Sequence, residues 1–280
     1  MNRTLLLAKS HYGEMGKSEK KIADWLFSHS GEAYSYSITE LAEKCDSSEA
    51  TIVRFSKRLG FNGYQELKIA LAQELEKKII TPYITAEDSC FEMLEKLCND
   101  IYLSLERTKK NIGAANMTEA SEVIAKARKV ILIGLGSSST VAAEASNKFL
   151  RAGCNAYSYS DTHMQAIAVS QLSYGDVLIG ISQSGSSKDI VECLRLAKSR
   201  GATTICVTAK ERSPITKQSD IVLITDTEEL RHSDLGLNSH LSRTVVMDAL
   251  CYRIAYMNEE KTIEGVNQGE ISLVSKRITE

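Results

Sequence analysis

Val130-Ile-Leu-Ile-Gly-Leu-Gly-Ser-Ser-Ser139 and Asp176-Val-Leu-Ile-Gly-Ile-Ser-Gln-Ser-Gly-Ser-Ser187 share one pattern, an apolar run that breaks into glycine and serine. Each run is short and lacks polar alternation, as a strand buried on both faces does. Asn155-Ala-Tyr157, Thr203-Thr-Ile-Cys-Val207 and Asp220-Ile-Val-Leu-Ile224 are further apolar runs, and helical stretches separate all of them. That alternation predicts an α/β domain over residues 90–260, a five-stranded parallel sheet in a three-layer α/β/α sandwich.

The two serine loops each follow a strand and open a helix. A helix N-terminus presents backbone N–H groups and the positive end of a dipole, which suits a phosphate. Serine hydroxyls add rotatable donors, and glycine lets the backbone come close. In a doubly wound sheet of order 2-1-3-4-5 the switch point lies between strands one and three, so both loops would open onto one crevice. A dinucleotide fold with Asp161 on a ribose is the rival reading. It leaves the second serine loop idle, and Ser139 stands where its third glycine belongs. For any single serine the plain alternative is a helix cap.

Upstream, residues 1–78 read as helix after helix. Ile22, Ala23, Leu26 and Phe27 recur at helical spacing between Lys17 and Ser28. Ser37-Ile-Thr-Glu40 is a capping box opening a short helix that ends near Cys45. Another runs from about Ser48 to Leu59, stopped by Gly60. A fourth begins near Asn62-Gly63, with Leu67, Leu71 and Leu75 on one stripe. Two short helices joined by a tight turn can lay the second in a major groove. On that second helix Ile52, Val53 and Phe55 are expected to face the core, and Thr51, Arg54, Lys57 and Arg58 to face outward. Residues 1–78 carry 12 Lys+Arg against 11 Asp+Glu, so any affinity for DNA must come from a local cluster, and Arg54, Lys57, Arg58 and Lys68 supply one. A solvated face on an ordinary helical bundle would give the same spacing.

Between the two regions, residues 79–89, with Pro82, lack periodicity and read as a linker. A long amphipathic helix (Met93, Leu94, Leu97, Ile101, Leu105) follows. Residues 261–280 read as a polar, loosely held tail. A net charge of −2, with 43% hydrophobic and 25% charged residues, describes a soluble globular chain without a cationic coat. Leu5-Leu-Leu-Ala8 is too short for a signal segment or a membrane span. The seven cysteines form no CxxC pair and sit largely in apolar runs, which points to reduced thiols and a cytoplasmic protein. No metal or redox cofactor is indicated.

Ser37-Ile-Thr-Glu-Leu41-Ala-Glu, followed by Ser47-Ser-Glu-Ala-Thr51-Ile-Val-Arg54-Phe-Ser-Lys-Arg-Leu59-Gly-Phe61-Asn-Gly63-Tyr-Gln-Glu-Leu67-Lys, resembles the RpiR family of bacterial transcription regulators. The match is long and ungapped and begins at Ser18. The resemblance implies operator binding by the helix that starts near Ser48, with Ser48, Glu49, Thr51, Arg54, Lys57 and Arg58 at the DNA. Residues 90–260 resemble the SIS (sugar isomerase) domain. There Gly136, Ser137 and Ser138 match its first phosphate loop and Ser182, Gln183, Ser184 and Ser187 its second, which implies a phosphorylated sugar as ligand. His163 falls in a stretch common among regulatory members and is a candidate for the pocket wall. Lys148 is either a ligand contact or a structural ion-pair partner. Operator symmetry implies a homodimer or homotetramer, and the long helix beginning at Cys90 offers a surface for it.

The competing reading is an aldose–ketose isomerase, because SIS domains also serve enzymes. Such a reaction needs a carboxylate base and an acid to open the ring. Glu144, His232 and His240 are the candidates, and none matches a clear catalytic placement. The fused helix-turn-helix favours a sensor.

Overall fold

The structure is a computed structural model and describes residues 3–29, 32–73, 84–85, 87–225, 237–274 and 276. Leu75, Pro82, His232 and most of the expected linker lie outside the described residues. The chain divides into two compact units, one built on residues 1–85 and one on the residues that follow.

The first unit holds α1 (Arg3–His11), α2 (Lys17–His29), α3 (Ile38–Lys44), α4 (Glu49–Arg58) and α5 (Tyr64–Gln73). Ile22, Leu26, Leu41, Ile52, Phe55, Leu67 and Leu71 are buried together at its centre. Phe27, expected on the inner stripe, is exposed. The capping box is present: Ser37 Oγ accepts the Glu40 amide at 3.2 Å, and the Glu40 carboxylate accepts the Ser37 amide at 2.7 Å. The turn between α3 and α4 reverses at Asp46, whose φ is +45°. Asp tolerates this left-handed conformation better than most residues, and the Ser47 amide then closes onto Ala42 O at 2.8 Å. Ser48 caps α4, and Gly60, at φ +91°, ends it.

The second unit opens with α6 (Cys90–Asn111) and α7 (Ala114–Lys126). It continues through β1 (Lys129–Gly134), α8 (Ser137–Arg151), β2 (Ala156–Tyr159), α9 (Thr162–Ser170), β3 (Asp176–Ile181), α10 (Lys188–Ser199), β4 (Thr203–Thr208) and β5 (Ile221–Ile224). It closes with α11 (Leu237–Met257) and α12 (Glu259–Val274). All strand pairs are parallel, in the order β2-β1-β3-β4-β5. Alternate side chains go to opposite faces. Val130, Leu132, Val177 and Ile179 pack with residues of α7, α8 and α11, while Ile131, Ile133 and Leu178 pack with residues of α9 and α10. This is the expected three-layer sandwich. At Gly180 an added Cβ would stand 2.9 Å from Leu194, so the missing side chain is what lets α10 lie against the sheet.

The tail is a correction. Residues 259–274 form α12 rather than a loose end. The Thr262 hydroxyl donates to Ala152 O at 3.1 Å, and Gly265 brings the helix close to Arg151 O. A polar hydroxyl and a glycine hold α12 to α8, so no apolar stripe announced it. Among the described residues no helix is long and apolar enough to cross a membrane. Cys45, Cys154, Cys193 and Cys206 are buried, and burial pushes each thiol up to about 11. Cys90 and Cys98 are exposed.

The amino-terminal edge of the sheet is held by carboxylates. Asp176 is buried, accepting from Arg128 Nε at 3.0 Å, Arg128 Nη2 at 2.8 Å and the Ser173 amide at 2.9 Å. Burial pushes its carboxyl up, but Arg128 and the Ser173 amide more than offset this and hold it below its ordinary value. Asp220 accepts the Thr204 amide and hydroxyl at 2.9 and 2.8 Å. A carboxyl with a lowered folded pKa stabilises the fold above its unfolded value of about 3.9, and loses that contribution as pH falls through the folded value. Asp176→Asn should therefore cost about 1–3 kcal/mol at pH 7, discounted because Arg128 is largely exposed. Urea titrations of wild type and variant from pH 7 to pH 3 should show the gap narrowing below about pH 4. A constant gap would dissociate Asp176 from acid sensitivity.

Candidate functional site

The first serine loop is shaped by two glycines. A Cβ on Gly134 would stand 2.6 Å from the Ser138 carbonyl group, so α8 can start this close to β1 only over glycine. Gly136 has φ +55° and precedes the first residue of α8. The Ser138 and Ser139 amides already close onto Leu135 O at 3.1 Å and Gly136 O at 3.0 Å. Side-chain groups therefore matter more here than a bare helix end would suggest. The Ser139 hydroxyl turns back to Gly136 O and that of Thr140 to Ser137 O, both at 2.7 Å. Ser137 is exposed. Ser138 is buried, and its Oγ accepts a 2.7 Å hydrogen bond from Arg243 Nη1.

The second loop leaves β3 at Ser182, whose amide bonds Val207 O at 3.0 Å. Gln183 O accepts the Ala209 amide at 3.2 Å, which ties the loop to the chain after β4. Gly185, at φ +61°, turns the chain. Ser184 is exposed, and its Oγ accepts the Ser186 amide at 3.3 Å. Ser187 occupies the cap position of α10, yet its hydroxyl does not cap the helix. It meets Ser182 Oγ at 3.1 Å instead. The plain reading of Ser187 as a helix cap fails on that geometry. Gly134 and Ile181 are register partners, so the two loops leave neighbouring strands side by side, about 4.8 Å apart.

His163 is exposed in the first turn of α9. Asp161 caps that helix by accepting the Met164 amide at 2.9 Å, so its carboxylate serves α9 as a cap. Lys148 donates to Asp248 at 2.5 Å and pairs with Glu144 at 2.7 Å, and both partners hold its ammonium above the usual range. It is an ion-pair partner of both carboxylates, and Glu144 is engaged by the same contact. His240 is half-buried on α11.

Two residues of this crevice escaped the sequence reading. Gln165 is fully buried, and its amide donates to Gly134 O at 3.0 Å and Tyr159 O at 2.8 Å, stitching the ends of β1 and β2 together. Arg243 heads the largest fully buried side chains. Its signal lay in the stripe Arg243, Val246, Met247, Leu250 and Ile254, a cation at a core position of an otherwise apolar helix face.

On α4 the expected outer face is narrower than the spacing implied. Thr51 is a correction: it is buried, its hydroxyl 2.8 Å from Ser48 Oγ and accepting from Arg54 Nη2 at 3.2 Å. The side chain completes the helix cap, and a threonine in the first turn satisfies that role as readily as an outward one. Val53 is half-buried. Glu49 is half-buried and accepts the Thr39 hydroxyl at 2.6 Å, joining α3 to α4. Ser48, Arg54 and Lys57 are exposed. Arg58 Nε bonds Glu19 at 3.2 Å, and Lys68 donates to Tyr36 O at 2.9 Å, so both contribute to holding this unit together.

Comparison with known proteins accords with this division. Residues 2–78 match the family model of the rpiR-type helix-turn-helix domain and residues 123–251 that of the SIS domain. An HTH-type transcriptional regulator of Caldanaerobacter subterraneus subsp. tengcongensis is 35% identical over 257 residues, 91% of each chain. Among solved structures, the Vibrio vulnificus NanR protein complexed with ManNAc-6P superposes with a TM-score of 0.86 at 24% identity, covering 99% of this chain and 100% of that one. The sugar isomerase domain of an RpiR transcription factor from Sphaerobacter thermophilus has a TM-score of 0.59 at 23% identity, covering 64% of this chain and 98% of its own. The chain belongs to the rpiR family of helix-turn-helix transcriptional regulators that carry a SIS domain.

Proposed function

We propose that this regulator binds operator DNA through α4 and a phosphorylated sugar in the crevice between the two serine loops, and that the second event modulates the first. The observation that carries the ligand assignment is the pair of hydroxyl-lined loops at adjacent strand ends, with Ser187 turned from its helix toward Ser182. Ser137, Ser138, Ser182, Gln183, Ser184 and Ser187, with the Gly136 backbone, are the assigned contacts, and exposed His163 stands as a rim contact. Ser48, Arg54, Lys57 and Arg58 are assigned to DNA, with Glu49 placed at the same face. The acting species is a cytoplasmic homodimer or homotetramer. Two-fold operators favour it, and α6 exposes Phe91, Leu94, Tyr102 and Leu103. Linkage makes the coupling reciprocal, at typically about 1–3 kcal/mol.

Ser138→Ala and Ser184→Ala should each weaken sugar-phosphate binding about tenfold or more, since a hydroxyl donating to an ionic oxygen contributes roughly 1.5–3 kcal/mol. Operator affinity without ligand should stay at the wild-type level. Calorimetry with the best ligand from a thermal-shift screen of phosphosugars, and with its dephosphorylated analogue, checks this. Equal binding of the two compounds would remove the phosphate from the assignment.

Arg54→Ala should weaken operator binding by about 1–3 kcal/mol if the guanidinium reads a base edge, or flatten the salt dependence if it meets a phosphate. Gel-shift titrations at two salt concentrations tell these apart, and unchanged affinity at both takes Arg54 out of the interface.

The sensor reading also requires that the protein not interconvert aldose and ketose phosphates. The pairing of Glu144 with Lys148 at 2.7 Å supports it, because a general base must sit on the substrate proton and this carboxylate is directed to an ammonium instead. An NMR time course should show no protein-dependent turnover. Turnover abolished by Glu144→Gln would establish the isomerase instead.

A further inference from the structure

Arg243 is 1% exposed, and a guanidinium stays charged at every pH the fold survives. Burying such a cation is costly unless its donors are used. One donor has a defined destination: Nη1 reaches Ser138 Oγ at 2.7 Å. Ser138 is the buried hydroxyl of the first loop, while Ser139 and Thr140 turn their hydroxyls back to the backbone. Accepting from Arg243 occupies one lone pair of Ser138 and leaves its O–H to donate elsewhere. It also polarises that O–H, because hydrogen bonds in series strengthen one another and an ionised donor strengthens them most.

We infer that Arg243 is the positioning residue of the phosphate site: through its bond to Ser138 it fixes the hydroxyl rotor and makes this serine a strong donor to a phosphate oxygen. The inference rests on the phosphate-site reading above and adds to it the residue that orients the buried donor of the first loop. A hydroxyl polarised by a guanidinium donates more strongly to an ionised phosphoryl oxygen than to a neutral sugar hydroxyl. The arginine comes from α11, remote in sequence from both serine loops, so phosphate capture draws on a third element.

The test is a double-mutant cycle on the full-length protein, with inorganic phosphate as the probe and 31P NMR titration as the readout. Arg243→Gln should raise the apparent Kd about tenfold, and Arg243→Lys should recover part of the loss. In a Ser138→Ala background Arg243→Gln should cost little more, because the two act as a unit. Equal losses in both backgrounds, or wild-type binding by Arg243→Gln, would reduce Arg243 to a packing residue and overturn the inference. Should Arg243→Gln fail to fold, the guanidinium resonance of 15N-labelled wild type, assigned by its disappearance in Arg243→Lys, gives the answer directly. It should shift when phosphate is added, and an unmoved resonance overturns the inference. Wild type that binds no phosphate sinks this inference together with the phosphate-site reading, whereas phosphate-binding wild type with an indifferent Arg243 sinks this one alone.

Discussion

The second unit depends on the pairing of β1 with β3 out of chain order. Sequential strands in a parallel sheet would send every connecting helix to one face. Placing β3 on the far side of β1 from β2 sends α8 and α9 to opposite faces, and the loops that lead from β1 and β3 part above a gap. At the root of these loops the backbone comes very close. Gly134 admits Ser138 at a distance no side chain would tolerate, and Gln165 bonds Gly134 O from the other side. Sheet order, glycine and amide together hold one rim in place, and Ser182, Gly185 and Ser187 build the other.

The two edges of the sheet carry different chemistry. Carboxylates hold the amino-terminal edge, where Asp176 and Asp220 accept backbone amides and neighbouring cations. Hydroxyls line the carboxyl-terminal edge. The carboxylates of the first edge are engaged by Arg128 and Lys198, whereas the second edge presents the donors an anionic ligand would use. The polarity follows from strand direction, since parallel strands bring all their carboxyl ends, and the helix N-termini that follow, to one side.

Much of this was legible in the chain because it depends on local rules. The strands are apolar runs of the right length, and the Ser37 capping box and the stop at Gly60 are fixed-spacing signals. What escaped depends on contacts between segments far apart in sequence. Thr51 sits at a helical position equally compatible with an outward face, and its hydroxyl bond to Ser48 decides otherwise. Arg243 stands 105 residues from Ser138, and spacing cannot report such a pair. Helix α12 lacks the apolar stripe by which helices are found, because a threonine and a glycine attach it to α8.

Beside Arg243 stands Ser242, whose buried hydroxyl lies 2.8 Å from that of Ser104 on α6. Successive residues on a helix project about 100° apart, so α11 is pinned on two sides at one level. A helix bolted by a single contact can roll about its axis and trade one neighbour for another. Here any turn that lifted Arg243 from the serine loop would also pull Ser242 from Ser104. The first serine loop and α6 are thus tied to one helix through two adjacent side chains.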